Sequence, residues 1–254
     1  LASPPFAALV AACRAPEAPL AFQTFGNYSA TGNLVPMARI PYLPSLKLIA
    51  NADSIQGLTR LPYHDDFALD LIEQTLSKQA QAQQSTPNLP RTKQAQSMLY
   101  AAQSSSKTLG RVKPSSLNVT NKGRLERQAE IALSCFKAGV CVSANLSIGQ
   151  FDSHAKNDRD QMKLIPEFLG GIDYLMKLAE ELKIRDKLVV VIQSEMGRTP
   201  HYNKGDGKDH WSIGSIMFMG QGIQGNRVIG ATDEKQFLSP INAGNLALDK
   251  ENGI

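Results

Sequence analysis

The sequence predicts an α/β fold: a mostly parallel central sheet flanked by helices and carrying a polar helical insertion. Three observations carry that expectation. Residues 124 to 195 read helix, strand, helix, strand, an order that implies a parallel pair joined by a right-handed crossover helix. Within it, Leu188 to Ile192 is a short apolar run that stops abruptly at Gln193, Ser194 and Glu195, the pattern of a parallel strand buried on both faces. Residues 64 to 120 are dominated by Gln, Ala and Ser, with too few large apolar side chains for a core of their own, so they read as an excursion packed on the domain or a mobile cover. With 254 residues, 42% of them hydrophobic, the chain suffices for one substantial core, so residues 1–254 are expected to form a single domain with 64–120 as an insertion.

The elements follow in order. Pro4 to Cys13 reads as a short helix with proline in its first turn, and Pro19 to Phe25 as a strand entering the polar, glycine-containing segment Gly26 to Asn33. Pro36 to Pro44 reads as an irregular connection and Lys47 to Ala50 as a brief edge strand. His64, Asp65 and Asp66 precede a helix from Phe67 to Gln84, where aspartates suit the positively polarised start. Two prolines between Ser85 and Pro90 separate it from a second polar helix, Arg91 to Ser104, and Ser104 to Thr120 is the linker candidate. Arg124 to Ala138 carries Leu125, Ala129, Ala132, Leu133 and Phe136 at helical spacing, and Gly139 stands where a left-handed terminating residue is favoured.

Val140 to Ile148 alternates as a strand, and Phe151, Asp152, Ser153 and His154 fall beyond its carboxyl end. A further helix is expected over Asp158 to Lys183, bent or weakened by Pro166 and the Gly170, Gly171 pair. After the Leu188 to Ile192 strand come Gly197, Arg198, Thr199 and Pro200, then Lys208, Asp209, His210 and Trp211. A last short strand is expected over Ser215 to Met219, followed by glycine-rich turns from Gly220 to Gly230.

Charge and composition exclude some functions. The net charge is only +4 and the basic residues are dispersed, so no stripe suited to nucleic acid stands out. No apolar run is long enough to span a bilayer. Cys13, Cys135 and Cys141 lack metal-ligand spacing and read as small apolar filler, with one disulfide as the other reading. The chain begins at Leu1 rather than Met, and both ends are expected to be cut, with any targeting segment outside.

The chemistry concentrates in the strand-end loops, because ligands of open α/β sheets bind beyond the carboxyl ends of the strands. Of the four histidines, His154 and His210 lie beside carboxylates, Asp152 and Asp209. Imidazole and carboxylate together suit zinc, manganese or iron, whereas carboxylates alone would suit magnesium or calcium. Glu195 is a further ligand or a general base, and Arg198 offers a planar fork for phosphate, sulfate or carboxylate. Bland readings stand beside these: an Asp-x-His pair is more often a capped turn, Glu195 can pair with Arg198, and Trp211 reads as a packing anchor. Ser153 and Ser194 lie in no nucleophile elbow and are assigned hydrogen-bonding roles; His64 and His201 read as surface or loop residues.

Three blocks resemble a known family. Gly149 to Asn157, GQFDSHAKN, is similar to a Gly-Trp-Asp-Thr-His segment; Ser194 to Pro200, SEMGRTP, to Ser-Glu-Phe-Gly-Arg-Thr-Pro; and Gly207 to Trp211, GKDHW, to Gly-Arg-Asp-His-Trp. In this order they resemble the bacterial family called domain of unknown function 1501, grouped with the alkaline phosphatase and sulfatase superfamily. Phe151, Ser153 and Met196 depart from its Trp, Thr and Phe. The resemblance implies an alkaline phosphatase-like fold with metal ligands on strand-end loops and an oxygen nucleophile near the first strand. Carried over by position, Asp152, His154, Glu195, Asp209 and His210 are the metal-ligand candidates, and Glu195 and Arg198 the catalytic candidates.

Glu195 and Met196 stand where many superfamily members have an Asp-His pair, so the resemblance does not supply a complete two-metal set. The implied nucleophile is expected to lie before Leu1. The expectation is therefore a metal-dependent hydrolase of phosphate or sulfate esters, exported or periplasmic, with the activity of this stretch alone left open. It would use a divalent cation (zinc, manganese, calcium or magnesium) on a small or polymer-borne anionic ester. The reading from another class is a non-catalytic exported binding or structural protein on the same scaffold.

Overall fold

The computed structural model describes residues 5–26, 30–50, 63–103, 106–113, 122–251 and 253. The elements are α1 (Phe6–Arg14), β1 (Phe22–Thr24), β2 (Met37–Ala38), α2 (Leu43–Ala50), α3 (Asp66–Ser85), α4 (Pro90–Gln103), α5 (Ser106–Leu109), α6 (Arg124–Ala138), β3 (Ser143–Asn145), α7 (Asn157–Glu181), β4 (Val189–Ile192), β5 (Gly197–Arg198), β6 (His210–Trp211) and β7 (Met217–Gly220). They divide into two compact units. One comprises residues 1–148 and 170–182, the other 149–169 and 183–254, so α7 contributes to both.

The first unit is built on a small parallel sheet of order β2-β1-β3, in which Phe22 pairs with Met37 on one side and Ser143 on the other. Alternation along β1 sorts its faces. Phe22 packs with Ala8, Ala11 and Val35, and its register partner Ser143 donates its hydroxyl to the Ala7 carbonyl at 2.6 Å, so this face seats α1. Gln23 points the other way, against the Cys135 thiol of α6. A buried cluster of Leu20, Leu46, Leu109, Val112, Ile131, Cys135, Val140 and Cys141 fills that side.

Several expectations hold at the level of single residues. Asp65 caps α3, its carboxylate accepting from Ala68 N at 2.8 Å, and Gly139 ends α6 at φ 73°, its N–H closing onto the Cys135 and Phe136 carbonyls. The polar helices of the middle region are present as α3 and α4, while the linker candidate contains α5 and its residues 104–105 and 114–120 lie outside the described residues. No described helix is long and apolar enough to cross a membrane.

Other expectations are corrected. Lys47 to Ala50 is not an edge strand but the end of α2, because Pro44 fits a first helical turn and the spacing of Leu43 and Leu46 puts both on the face that packs with Leu109 and Val112. Pro36 to Pro44 contains β2, an edge strand with proline just before it, where a missing N–H costs nothing. The strand expected over Val140 to Ile148 is confined to Ser143–Asn145, matching the three residues that β1 offers for pairing. Helix α7 runs on through Pro166 and both glycines; Gly171 serves packing, since a Cβ there would come 2.5 Å from the Leu125 side chain.

All three cysteines are free. Cys13 is exposed, whereas burial pushes the Cys135 thiol up to about 11 and the Cys141 thiol up to about 12. Thiolate is the reacting species, so one equivalent of a disulfide reagent is expected to react rapidly with native protein at neutral pH and three after denaturation. Rapid release of three equivalents from native protein would contradict this packing.

The second unit corrects the expected strand pairing. β4 pairs not with a parallel neighbour but antiparallel with β7, Val189 opposite Gly220 and Ile192 opposite Met217. Neither is it buried on both faces, for Val189 is exposed and Val190 to Ile192 are half-buried. An apolar run specifies a strand but not its partner. β5 and β6 form a second antiparallel pair, with Arg198 opposite His210.

Candidate metal centre

Two short segments of the second unit are zipped together by backbone hydrogen bonds, and the zipper positions the site. Lys208 N donates to Ser153 O at 3.0 Å, Lys156 N to Gly205 O at 3.0 Å and Asn157 N to Asp206 O at 2.8 Å. Ser153 is buried and its hydroxyl donates to Asn157 Oδ1 at 2.7 Å while accepting from Gln161 Nε2 at 3.0 Å, which anchors the loop to the start of α7. On the other side, Thr199 is buried, receives the Asp209 N–H on its hydroxyl at 3.1 Å and donates its own N–H to Asp209 O at 3.0 Å. These bonds extend the β5–β6 pairing by one residue. Asp152 and His154 are thereby brought against Arg198, Asp209 and His210.

The geometry centres on one oxygen. Asp152 Oδ1 lies 2.9 Å from His154 Nε2 and 3.2 Å from His210 Nε2, and it also accepts from Arg198 Nη2. The guanidinium, followed by the His210 hydrogen bond, holds the Asp152 carboxyl down at about 2, so it stays ionised well into acid. Arg198 Nη1 donates to Lys208 O at 3.0 Å, so both terminal nitrogens of the fork are engaged by the protein. On the far side of the His154 ring, Nδ1 lies 2.9 Å from Asp209 Oδ1, which also accepts from Asn203 Nδ2 at 3.0 Å. The His154 and Asn203 hydrogen bonds lower the Asp209 carboxyl below its ordinary range. The His154 and His210 rings lie 4.9 Å apart, and all four side chains remain about half exposed or more.

This donor set fits a divalent cation. Asp152, His154 and His210 each offer a ligand atom, and these atoms lie within 4.8 Å of one another. Ligands bound to zinc at about 2.0–2.1 Å in tetrahedral geometry stand ~3.3 Å apart, close to the 2.9 and 3.2 Å separations from Asp152. Proton counting points the same way. A neutral imidazole has one N–H, yet the His154 ring has a carboxylate oxygen 2.9 Å from each nitrogen. If Nδ1–H is given to Asp209, the Nε2 lone pair faces a carboxylate, an arrangement relieved by a second proton or by a metal ion at that position.

The expected residues are thus distributed unevenly. Asp152, His154 and His210 converge; Asp209 stands behind His154, in the place of an outer partner that fixes the ring. Among the described residues, Glu195 makes no hydrogen bond or ion pair with the cluster and does not pair with Arg198, which takes Asp152 instead. Two contributors were not singled out from the sequence. Asn203 donates to His154 O and Asp209 Oδ1, both at 3.0 Å, and Gly207 passes so close to His154 that a Cβ would lie 2.0 Å from its carbonyl oxygen. The available signal was the Asn203-x-Gly205-x-Gly207 spacing, a side-chain turn former followed by glycines.

The sequence model of the family described as "Protein of unknown function (DUF1501)" matches residues 53–246. The chain belongs to that family. All of the converging side chains, and Asn203 and Gly207 with them, lie inside the DUF1501 match. No curated protein and no solved structure matches the chain.

Proposed function

We propose that this DUF1501 protein is a metal-dependent hydrolase of phosphate or sulfate esters, on an alkaline phosphatase-like scaffold whose helical insertion spans 64–120. The observation that carries the proposal is the convergence of Asp152 Oδ1, His154 Nε2 and His210 Nε2 within 4.8 Å of one another. These three atoms would hold the cation, and a bound cation would supply Lewis-acid stabilisation of charge on the ester and an activated oxygen. The protein's own contribution is orientation. Asp209 fixes the His154 ring so that Nε2 faces inward, and Arg198 steadies Asp152 from the β5 side. Glu195, exposed just beyond β4, is the candidate general base. An exported location is part of the same proposal.

The test is calorimetric titration of the metal-stripped full-length protein with zinc and manganese, joined to hydrolysis assays of that protein with nitrophenyl phosphate and nitrophenyl sulfate. One equivalent of metal bound with micromolar or better affinity, together with metal-dependent release of nitrophenol, is expected. Absence of metal uptake would end the metal reading. One observation favours a second reading, a binding or structural protein on the same scaffold: Arg198 already spends an N–H of each terminal nitrogen on Asp152 and the Lys208 carbonyl, the use of a structural partner. Metal uptake without hydrolysis of either ester would select it.

A further inference from the structure

Asn203 uses the full hydrogen-bonding capacity of its side chain. Its Oδ1 accepts from Gly205 N at 2.9 Å and from Gly207 N at 3.0 Å, while its Nδ2 donates to His154 O and to Asp209 Oδ1, both at 3.0 Å. An amide has two acceptor lone pairs and two donors, and all four are matched. The assignment of oxygen and nitrogen is fixed by those partners, since a flipped amide would set N–H against N–H and oxygen against oxygen. The backbone of Asn203 is tied into the same loop, its N–H donating to Gly207 O at 2.9 Å and its carbonyl accepting from Asp206 N at 3.2 Å.

The two halves of this amide do different things. The oxygen folds the loop through two glycine N–H groups, as an Asx turn does. The nitrogen reaches out of the loop to both members of the His154–Asp209 pair, holding the backbone of one and the carboxylate of the other. It donates to the same Asp209 oxygen that faces His154 Nδ1, so the carboxylate is held with that oxygen toward the ring. A ring whose Nδ1–H is held in this way keeps Nε2 unprotonated in its neutral form, and Nε2 is the nitrogen that faces Asp152.

We propose that Asn203 is a positioning residue of the centre: by clamping Asp209 onto His154 Nδ1 it selects the ring tautomer that presents Nε2 for coordination. This rests on the metal reading of the preceding section, and it makes a claim about the metal-free protein that is tested separately. Asn203→Asp keeps an oxygen for the Gly205 and Gly207 N–H groups but removes the donor and sets a carboxylate against Asp209. Asn203→Ala removes both halves.

Two readouts on the full chain decide the matter: the ring-nitrogen resonances of His154 in metal-free protein, by long-range proton–nitrogen correlation, and zinc affinity by calorimetry. In Asn203→Asp, with the backbone amide spectrum otherwise preserved, the His154 Nδ1 resonance is expected to leave its hydrogen-bonded N–H position. Zinc affinity is expected to fall by about 10- to 100-fold, the loss typical of an outer-shell partner. That fall would oppose simple electrostatics, since an added negative charge alone would tighten cation binding. Asn203→Ala is expected to show the same changes together with loss of the native Gly205 and Gly207 amide signals, and if it does not fold, Asn203→Asp carries the test. A folded Asn203→Asp protein with His154 resonances and zinc affinity unchanged would overturn the proposal. Should the parent protein bind no zinc while the His154 resonance still moves in Asn203→Asp, the metal reading falls and the positioning role of Asn203 stands.

Discussion

Replacing His154 by alanine is expected to remove zinc binding more completely than any neighbouring single change, with little effect on thermal stability. Among the described residues the ring is the group within hydrogen-bond distance of both carboxylates of the site, with Asp152 2.9 Å from Nε2 and Asp209 2.9 Å from Nδ1. On the proposed metal reading, its loss deletes an inner ligand and leaves Asp209 with no ring to orient. The affinity should therefore drop beyond the roughly 10- to 100-fold that follows loss of an outer-shell partner. Asp209→Asn supplies the comparison, since it weakens the orienting carboxylate and leaves all three inner ligands in place. The melting temperature should move little in His154→Ala, because the ring is about half exposed and exposed ion pairs contribute weakly to folding. Calorimetric zinc titration and a melting curve on both variants check this. Equal affinity losses in the two would mean that Asp209 is itself a ligand, and an unchanged affinity in His154→Ala would remove His154 from the centre.

What was legible in the sequence divides along a physical line. Local signals were legible: Asp65 as a helix start, Gly139 as a helix end, the apolar spacing of α6, and a carboxylate beside each of His154 and His210. Each is decided within a few residues, by capping, by a positive φ, or by which side chains carry lone pairs. Partner choice is decided over longer range. The run Val189 to Ile192 announces a strand, yet nothing within it says that Met217 to Gly220 will lie beside it antiparallel. Lys47 to Ala50 read as a strand because its apolar residues were taken by themselves; with Leu43 and Pro44 included, the segment has a helical start and a helical face.

The polar organiser was the hardest to see. Asn203 has no charge and sits in no recognised motif, and its value comes from two glycine N–H groups, one carbonyl and one carboxylate that converge only after the loop has folded. Arg198 shows the reverse case. Its fork invites an anion in the sequence, but the fold engages an N–H of each terminal nitrogen with Asp152 and the Lys208 carbonyl. Donor chemistry can be read from residue types, whereas donor availability depends on the neighbours that folding supplies.

Gly207→Ala is expected to destabilise the second unit and to displace His154, while Gly205→Ala, two residues away in the same loop, is expected to do neither. A Cβ at position 207 would lie 2.0 Å from both the carbonyl carbon and the oxygen of His154 and 2.4 Å from Ala155 N. These are backbone atoms, so no side-chain rotation relieves the overlap. Overpacking of a buried position costs about 1–3 kcal/mol, and a backbone obstacle places Gly207→Ala toward the upper end. In a chain of this size each kcal/mol lowers the melting temperature by roughly 2–4 °C. At Gly205 the added carbon would meet Asn203 Oδ1 at 3.5 Å and Ala155 Cβ at 3.7 Å, ordinary contacts that require no movement. Because the obstacle at 207 is the main chain of His154, relief requires the two segments to separate, which moves His154 relative to Asp209 and His210, and zinc affinity should fall together with stability. Melting curves and zinc titrations of the two alanine variants read both effects at once. Equal behaviour of Gly207→Ala and Gly205→Ala would contradict the close approach of the two segments on which the geometry of the centre depends.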